Sequence, residues 1–315
     1  MKKHLTAALG GVLLFSACNS DVVSPEGDIT SEERAELLSL VAEIPFFEDE
    51  FGEDGVPTSS ASAAFEGAAA VGPQNWGRRR GRPVNSETYR IEIDRENGLA
   101  TLIKELEFDG EFLVLDQASD QIVRKDLREV RTQTATFRLL DNARADEQTG
   151  NLHRWQLVAI SPAEFRATEP ENRLVIIDTV RALVNGEVVM EITDPSALIR
   201  IEDRIARLDR DTEISIQAVV SNQTTDEFDP EATFVYLHLR HAAVGLRVWR
   251  RMPMEYDPEV AAYVATWVVR HRGRERIVVD ALDAETVSVS VEDPYLSNIW
   301  VVPYRTRILT DAAVD

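Results

Sequence analysis

From Ser86 onward the chain is written in period two, and that alternation restricts what it can become. Tyr89, Ile91 and Ile93 alternate with Arg90, Glu92 and Asp94, the pattern of a strand with one buried face. Asn97-Gly98 then supplies turn chemistry for a tight hairpin into Leu99–Phe108. Phe112–Leu115 reads as a short apolar strand, and Val130–Leu140 as a β-branched one. A polar loop, Asp141–Asn151, leads into Leu152–Ile160. Leu174–Val184, an Asn185-Gly186 turn and Glu187–Ile192 make a second hairpin. Further strands are predicted at Glu213–Val220, Thr233–Leu239, Val244–Arg250, Ala262–Arg270, Arg276–Leu282, Thr286–Val291 and Ile299–Arg305. Ile199–Leu208 fits a helical turn or a strand. Short strands broken by turn signals every 8–12 residues or so argue for a mainly β fold.

Ser161–Pro170, with two prolines and few apolar residues, is the best domain boundary. Two β-rich domains are expected. Residues 166–310 read as an immunoglobulin-like β-sandwich, with 311–315 as a tail. Residues 86–165 read as a second sandwich or as an α+β curved sheet with one N-terminal helix. That helix is predicted over residues 31–44: Thr30 and Glu33 stand at capping-box spacing, and Leu37, Leu40, Val41 and Ile44 form one apolar stripe before Pro45. Residues 45–85 are rich in Ala, Ser, Gly and acid and end in Arg78, Arg79, Arg80 and Arg82. They read as a disordered linker, making 18–85 an acidic tether.

The N-terminus has its own signature. In MKKHLTAALGGVLLFSAC, two lysines precede an apolar run, Leu5 to Phe15, and Ser16 and Ala17 lead to Cys18, the only cysteine. A run of 11 residues is shorter than the roughly 20 a spanning helix needs. The arrangement resembles a bacterial prolipoprotein signal peptide, with residues 1–17 removed, although Phe15 stands where that signal usually has leucine. The resemblance implies that Cys18 becomes the N-terminus and carries a diacylglycerol. It implies a protein of the cell envelope whose membrane partner is reached through lipid. Two acyl chains suffice for stable anchoring. Asn19, where an aspartate would favour the inner membrane, points to the outer one. The body has the general look of secreted β-rich bacterial proteins, a likeness that carries no activity.

Charge narrows the partners. The chain has 34 Lys and Arg against 55 Asp and Glu, a formal net charge of −21, and a surface of that sign disfavours nucleic acid. Residues 19–57 hold twelve acids against Arg34 alone. Within the body, His238–Arg276 reverses the sign: eight arginines face four acids, with Trp249, Tyr256, Tyr263 and Trp267 interleaved. Arg247, Arg250, Arg270 and Arg272, with Trp249 and Trp267, are the candidate contact for an anionic envelope glycan or protein, because arginine and aromatics favour interfaces. Cross-strand pairing with neighbouring acids is the plainer alternative.

Catalytic motifs are absent: there is no G-x-S-x-G elbow, H-E-x-x-H pair, phosphate loop or dinucleotide fingerprint. No cofactor and no metal is implied. His238 and His241, three apart on a predicted strand, point to opposite faces. Asp226, Glu227 and Asp229, and separately Asp283 and Glu285, offer oxygen ligands but match no calcium-loop spacing. The expectation is a non-enzymatic lipoprotein with binding or scaffolding β-domains. The alternative is an envelope enzyme acting on glycan or peptide through a carboxylate site.

Overall fold

The computed structural model describes residues 29–47, 53–54, 76–84, 89–145, 152–202, 205–243, 246–269 and 273–307. Helix α1 (Ser31–Glu43) starts at the expected capping box. The Glu33 amide donates to Thr30 Oγ1 at 3.1 Å, and the Thr30 amide donates to the Glu33 carboxylate at 2.9 Å. Leu37, Leu40, Val41 and Ile44 are buried. A 3-10 turn, Pro45–Phe47, follows.

The strands, in chain order, are β1 (Glu53–Asp54), β2 (Trp76–Pro83), β3 (Tyr89–Asp94), β4 (Leu99–Asp116), β5 (Gln121–Ala145), β6 (Leu152–Ile160), β7 (Ala163–Ala167), β8 (Val175–Val184), β9 (Glu187–Ile192), β10 (Ile199–Arg200), β11 (Ala206–Asp209), β12 (Glu213–Asn222), β13 (Thr233–Ala243), β14 (Leu246–Pro253), β15 (Glu255–Asp257), β16 (Ala262–Val268), β17 (Gly273–Asp283) and β18 (Ser297–Arg307). They form two sheets. The larger runs β1-β2-β4-β5-β7-β18-β17-β13-β14 and curls into a half-barrel. β3 and β6 pair with β4 and β5, β10 with β6, and β11, in parallel, with β18. The smaller sheet runs β15-β16-β12-β8-β9. The chain is mainly β.

Turn chemistry works as expected at the second hairpin. Asn185 and Gly186 both have positive φ, 53° and 82°, between the paired Val184 and Glu187, which is a type I′ turn. The first hairpin instead closes with four residues, Arg95–Gly98, and only Gly98 is left-handed.

Several expectations change. Phe112–Leu115 is no separate strand; β4 is continuous because β5 pairs with it from Leu99 to Asp116. β3 covers its first half and β2 its second. The linker expected through residue 85 gives way to strand at Trp76, where inward Trp76, Arg78 and Arg80 alternate with outward Arg79. Ser161–Pro170, expected as a boundary, carries β7, which pairs with β5 on one side and β18 on the other. Ala163, Phe165 and Ala167 are its buried positions. The two halves of the chain therefore share one sheet. Ile199–Leu208 resolves into β10 and part of β11, and Thr286–Val291 begins in a 3-10 turn, Glu285–Val287, in place of a strand.

β17 shows how the layers meet. Ile277, Val279 and Ala281 join a core with Ile214, Ile216 and Val180 of the smaller sheet, giving sandwich-like packing. From the opposite face Val278 packs with Phe165 and Val301, and Leu282 with Trp76, Phe112 and Tyr236. A strand buried on both faces reads as a near-continuous apolar run, and Ile277–Leu282 does so except at Asp280. Burying each such side chain contributes about 1.5–3 kcal/mol.

Candidate functional site

Asp280 lies at the centre of a buried set of charged side chains. Its carboxylate takes both terminal nitrogens of Arg78, one at 2.8 Å, and Nε2 of His238 at 3.0 Å. Arg78 also donates to Ser297 at 3.0 Å and, through Nε, to the Tyr295 hydroxyl at 2.6 Å. That hydroxyl donates to Glu129, whose other oxygen accepts from Arg80 at 2.6 Å. Burial opposes ionisation of Asp280, but Arg78 and His238 outweigh it and hold the carboxyl well below its usual range. Burial likewise opposes the Arg78 charge, and Asp280, Tyr295 and Glu129 outweigh it. An Asp–His pair beside an arginine resembles catalytic machinery in composition, yet Arg78, His238 and Asp280 are each 0 % exposed. No substrate atom reaches them, so they act as an ionic rivet between β2 and β17.

A second buried set lies under the 3-10 turn. Lys104 donates to the Phe47 carbonyl at 2.9 Å, Arg131 to the same oxygen at 3.4 Å, and Gln133 to the Phe46 carbonyl at 3.4 Å. Burial, helped by the nearby Arg276 charge, pushes the Lys104 ammonium down to about 7 and Arg131 to about 9. These groups fasten Phe46 and Phe47, both buried, to β4 and β5.

Two open cavities among the described residues lie elsewhere, where the chain changes sheets. β12 belongs to the smaller sheet and β13 to the larger; β14 belongs to the larger and β15 to the smaller. The two connections, Gln223–Ala232 and Met254, stand side by side because the Met254 amide donates to the Val235 carbonyl at 2.8 Å. Between them is a cavity of about 350 Å³ lined by Pro230, Phe234, Met254, Tyr256 and Tyr263. A shallower one of about 610 Å³ continues past Tyr256 to Asp257, Pro258 and Thr266. Phe228, 46 % exposed, packs on Tyr256 with ring centres 5.1 Å apart and inclined 45°. Tyr256 meets Tyr263, its partner across β15–β16, at 5.3 Å and 61°. The Tyr263 hydroxyl donates to the Pro230 or Thr233 carbonyl, and burial keeps it protonated, pushed up to about 12.

The sequence candidates fall as follows. Arg247, Trp249 and Arg250 stand on β14, in register with Ala242, Arg240 and Leu239; their side chains lie outside the described ones. Trp267 is on β16 in the other sheet, half-buried against the main core. Arg270, Arg272 and Cys18 lie outside the described residues. Two further arginines of the same basic stretch turn inward: Arg276 is buried, and Arg251 sits 3.9 Å over the Trp76 ring and donates to the Trp76 carbonyl at 2.7 Å. Asp283 spends its oxygens on Asn222, Thr224 and the Glu285 amide, each at 2.7–2.8 Å, and Asp229 caps the 3-10 turn at Pro230. Among the described residues no group of three His, Cys, Asp or Glu is placed to hold a metal.

The aromatic groove was not singled out from sequence. Its signal was an absence: residues 223–237 and 252–269 contain no lysine, arginine or histidine.

Fold and site together define a mainly β protein with sandwich-like packing, a sealed ionic interior and an open aromatic groove at the sheet-changing corner. Compared with protein-family models, with curated proteins and with solved structures, the chain matches none of them.

Proposed function

We propose that this protein is a lipid-anchored lipoprotein of the cell envelope, held through Cys18 in the outer rather than the inner membrane. Its β-body binds or scaffolds an envelope component and catalyses no reaction. The observation that carries the binding reading is the separation of chemistry from access. The acid, base and histidine side chains that converge at Arg78, His238 and Asp280 are sealed, whereas the open groove is lined mainly by aromatics and apolar residues, with Glu231 as its one carboxylate. The alternative, a carboxylate enzyme acting on glycan or peptide, draws its support from Glu231 in that groove and Glu255 and Asp257 beside it.

The N-terminal signature MKKHLTAALGGVLLFSAC supports the anchor. Docking of α1 on the body then limits the reach. Ten residues lie between Cys18 and Ile29, the first described residue, and the span from one to the other extends to at most about 40 Å. A body so held works close to the bilayer. The basic strand β14, with Arg247, Trp249 and Arg250, belongs to the same reading as a contact for an anionic envelope partner. It stands at one end of the larger sheet's order.

Cys18→Ser is expected to move the protein from the membrane to the soluble fraction and to abolish a lipid-sized mass increment on the mature N-terminus. Unchanged membrane fractionation, with no such increment on the parent chain, would sink the anchor. Turnover of peptidoglycan or peptide by the purified chain would favour the enzyme.

A further inference from the structure

The groove at the sheet-changing corner has a chemistry of its own. Phe228, Tyr256 and Tyr263 are inclined to one another at 45° and 61° rather than coplanar. They therefore form a corner and offer no flat platform. A flat platform suits stacking of a sugar ring; a corner of π-faces suits a compact cation, which is attracted to the negative face of each ring within about 6 Å.

Charge points the same way. The segments that build the groove carry Asp226, Glu227, Asp229, Glu231, Glu255, Asp257 and Glu259, seven acids with no base among them. None of the seven is in an ion pair among the described residues. Two arginines of the adjoining stretch are engaged elsewhere: Arg251 is turned onto Trp76, and Arg276 is buried. The inner cavity, about 350 Å³, falls in the size range of small-ligand sites. Its lining is mostly apolar, with Phe234, Val235 and Met254, and includes one acid, Glu231; Glu255 and Asp257 line the adjoining shallower cavity. A primary ammonium, a compact and strongly hydrated charge, would lose more hydration on entering so apolar a lining. A quaternary head presents methyl groups to the lining and spreads its charge over the rings.

We propose that this corner is a binding site for a small quaternary ammonium cation, seated against Tyr256 and Tyr263, with Phe228 backing Tyr256, and attracted by the acids around it. The proposal rests on the reading of the body as a binding module and names the class of ligand it takes.

The test is titration of the purified full mature chain, in detergent micelles, followed by two-dimensional NMR or calorimetry. Choline chloride is the probe and sodium chloride the control. The uncharged isostere 3,3-dimethylbutan-1-ol has the same shape without the charge, and phosphocholine has the same head beside a phosphate. Saturable choline binding is expected, with the isostere and phosphocholine each weaker by about tenfold. Phe228→Ala and Tyr256→Leu should each weaken choline several-fold, and Asp257→Asn should do so while reducing the salt dependence. Phe228 is exposed, so its variant should melt with the parent chain. Absence of saturable choline binding overturns the proposal, as does equal binding of the isostere or of phosphocholine. Such a failure is distinct from failure of the envelope reading, which the Cys18 fractionation reports alone.

Discussion

At the residue scale, the interior depends on charges that satisfy one another. Arg78 cannot be removed from water without Asp280, and Asp280 cannot remain ionised there without Arg78 and His238. Breaking a buried pair by removing one partner costs about 3–5 kcal/mol, because the other charge is left uncompensated. Asp280→Ala is expected to destabilise by that amount, read as a lower urea midpoint. A midpoint within error of the parent's would show that the rivet contributes nothing. Gly110 makes a different demand. A Cβ there would sit 2.2 Å from the Arg79 carbonyl oxygen, so Gly110→Ala must push β2 off β4 and with it the Arg78 guanidinium. A loss of more than about 1 kcal/mol is expected, above the ordinary difference between glycine and alanine in a strand, and the same urea titration measures it.

At the scale of elements, α1 is a strap whose end is clamped. Glu33 accepts from both terminal nitrogens of Arg95, at 2.9 and 3.0 Å, and closes the capping box. Arg95, then the Thr30 amide, lower its carboxyl from 4.5 to about 2. A carboxyl depressed by folding stabilises the fold above its unfolded value, and that contribution is lost as pH falls through the folded one. Hydrogen exchange in residues 31–43 should therefore show faster opening, after correction for intrinsic rates, as pH drops from about 4.5 towards 2. Glu33→Gln should open more readily at neutral pH and lose that pH response. Equal protection of both proteins at neutral pH would refute the clamp.

The legible elements were those whose reason is local. α1 was readable because its cap and its apolar stripe lie within fifteen residues. The hairpin β8–β9 was readable because Asn185-Gly186 selects its turn. β2 was hidden because WGRRRGRP is polar in composition; Arg78 and Arg80 become inward residues only when Asp280 and Glu129, remote in sequence, arrive to pair with them. The groove was hidden for a similar reason. Phe228 and Tyr256 come together only because two separate connections change sheets at the same corner.

At the scale of the whole molecule, β7 decides how the protein unfolds. Its five residues join β5, from the first half, to β18, the last strand. The curl then brings the ends of the larger sheet together, with Arg251 of β14 reaching the Trp76 carbonyl of β2. The strip β13–β17–β18 is buried by the smaller sheet on one face and by β2, β4, β5 and β7 on the other. A fragment ending at residue 168 would expose Phe108, Phe112 and Phe165; one beginning there would expose Val278 and Val301 and leave Asp280 without Arg78. Neither can retain its core alone, since each apolar side chain left in water forfeits about 1.5–3 kcal/mol and the buried carboxylate loses Arg78. The body is therefore expected to unfold in one cooperative transition, with fluorescence and circular dichroism tracing the same curve. Fragments 29–168 and 169–307 should be unfolded separately and should regain native-like dichroism when mixed. Two resolved transitions, or a fragment with a sharp melt of its own, would show that β7 links two autonomous domains.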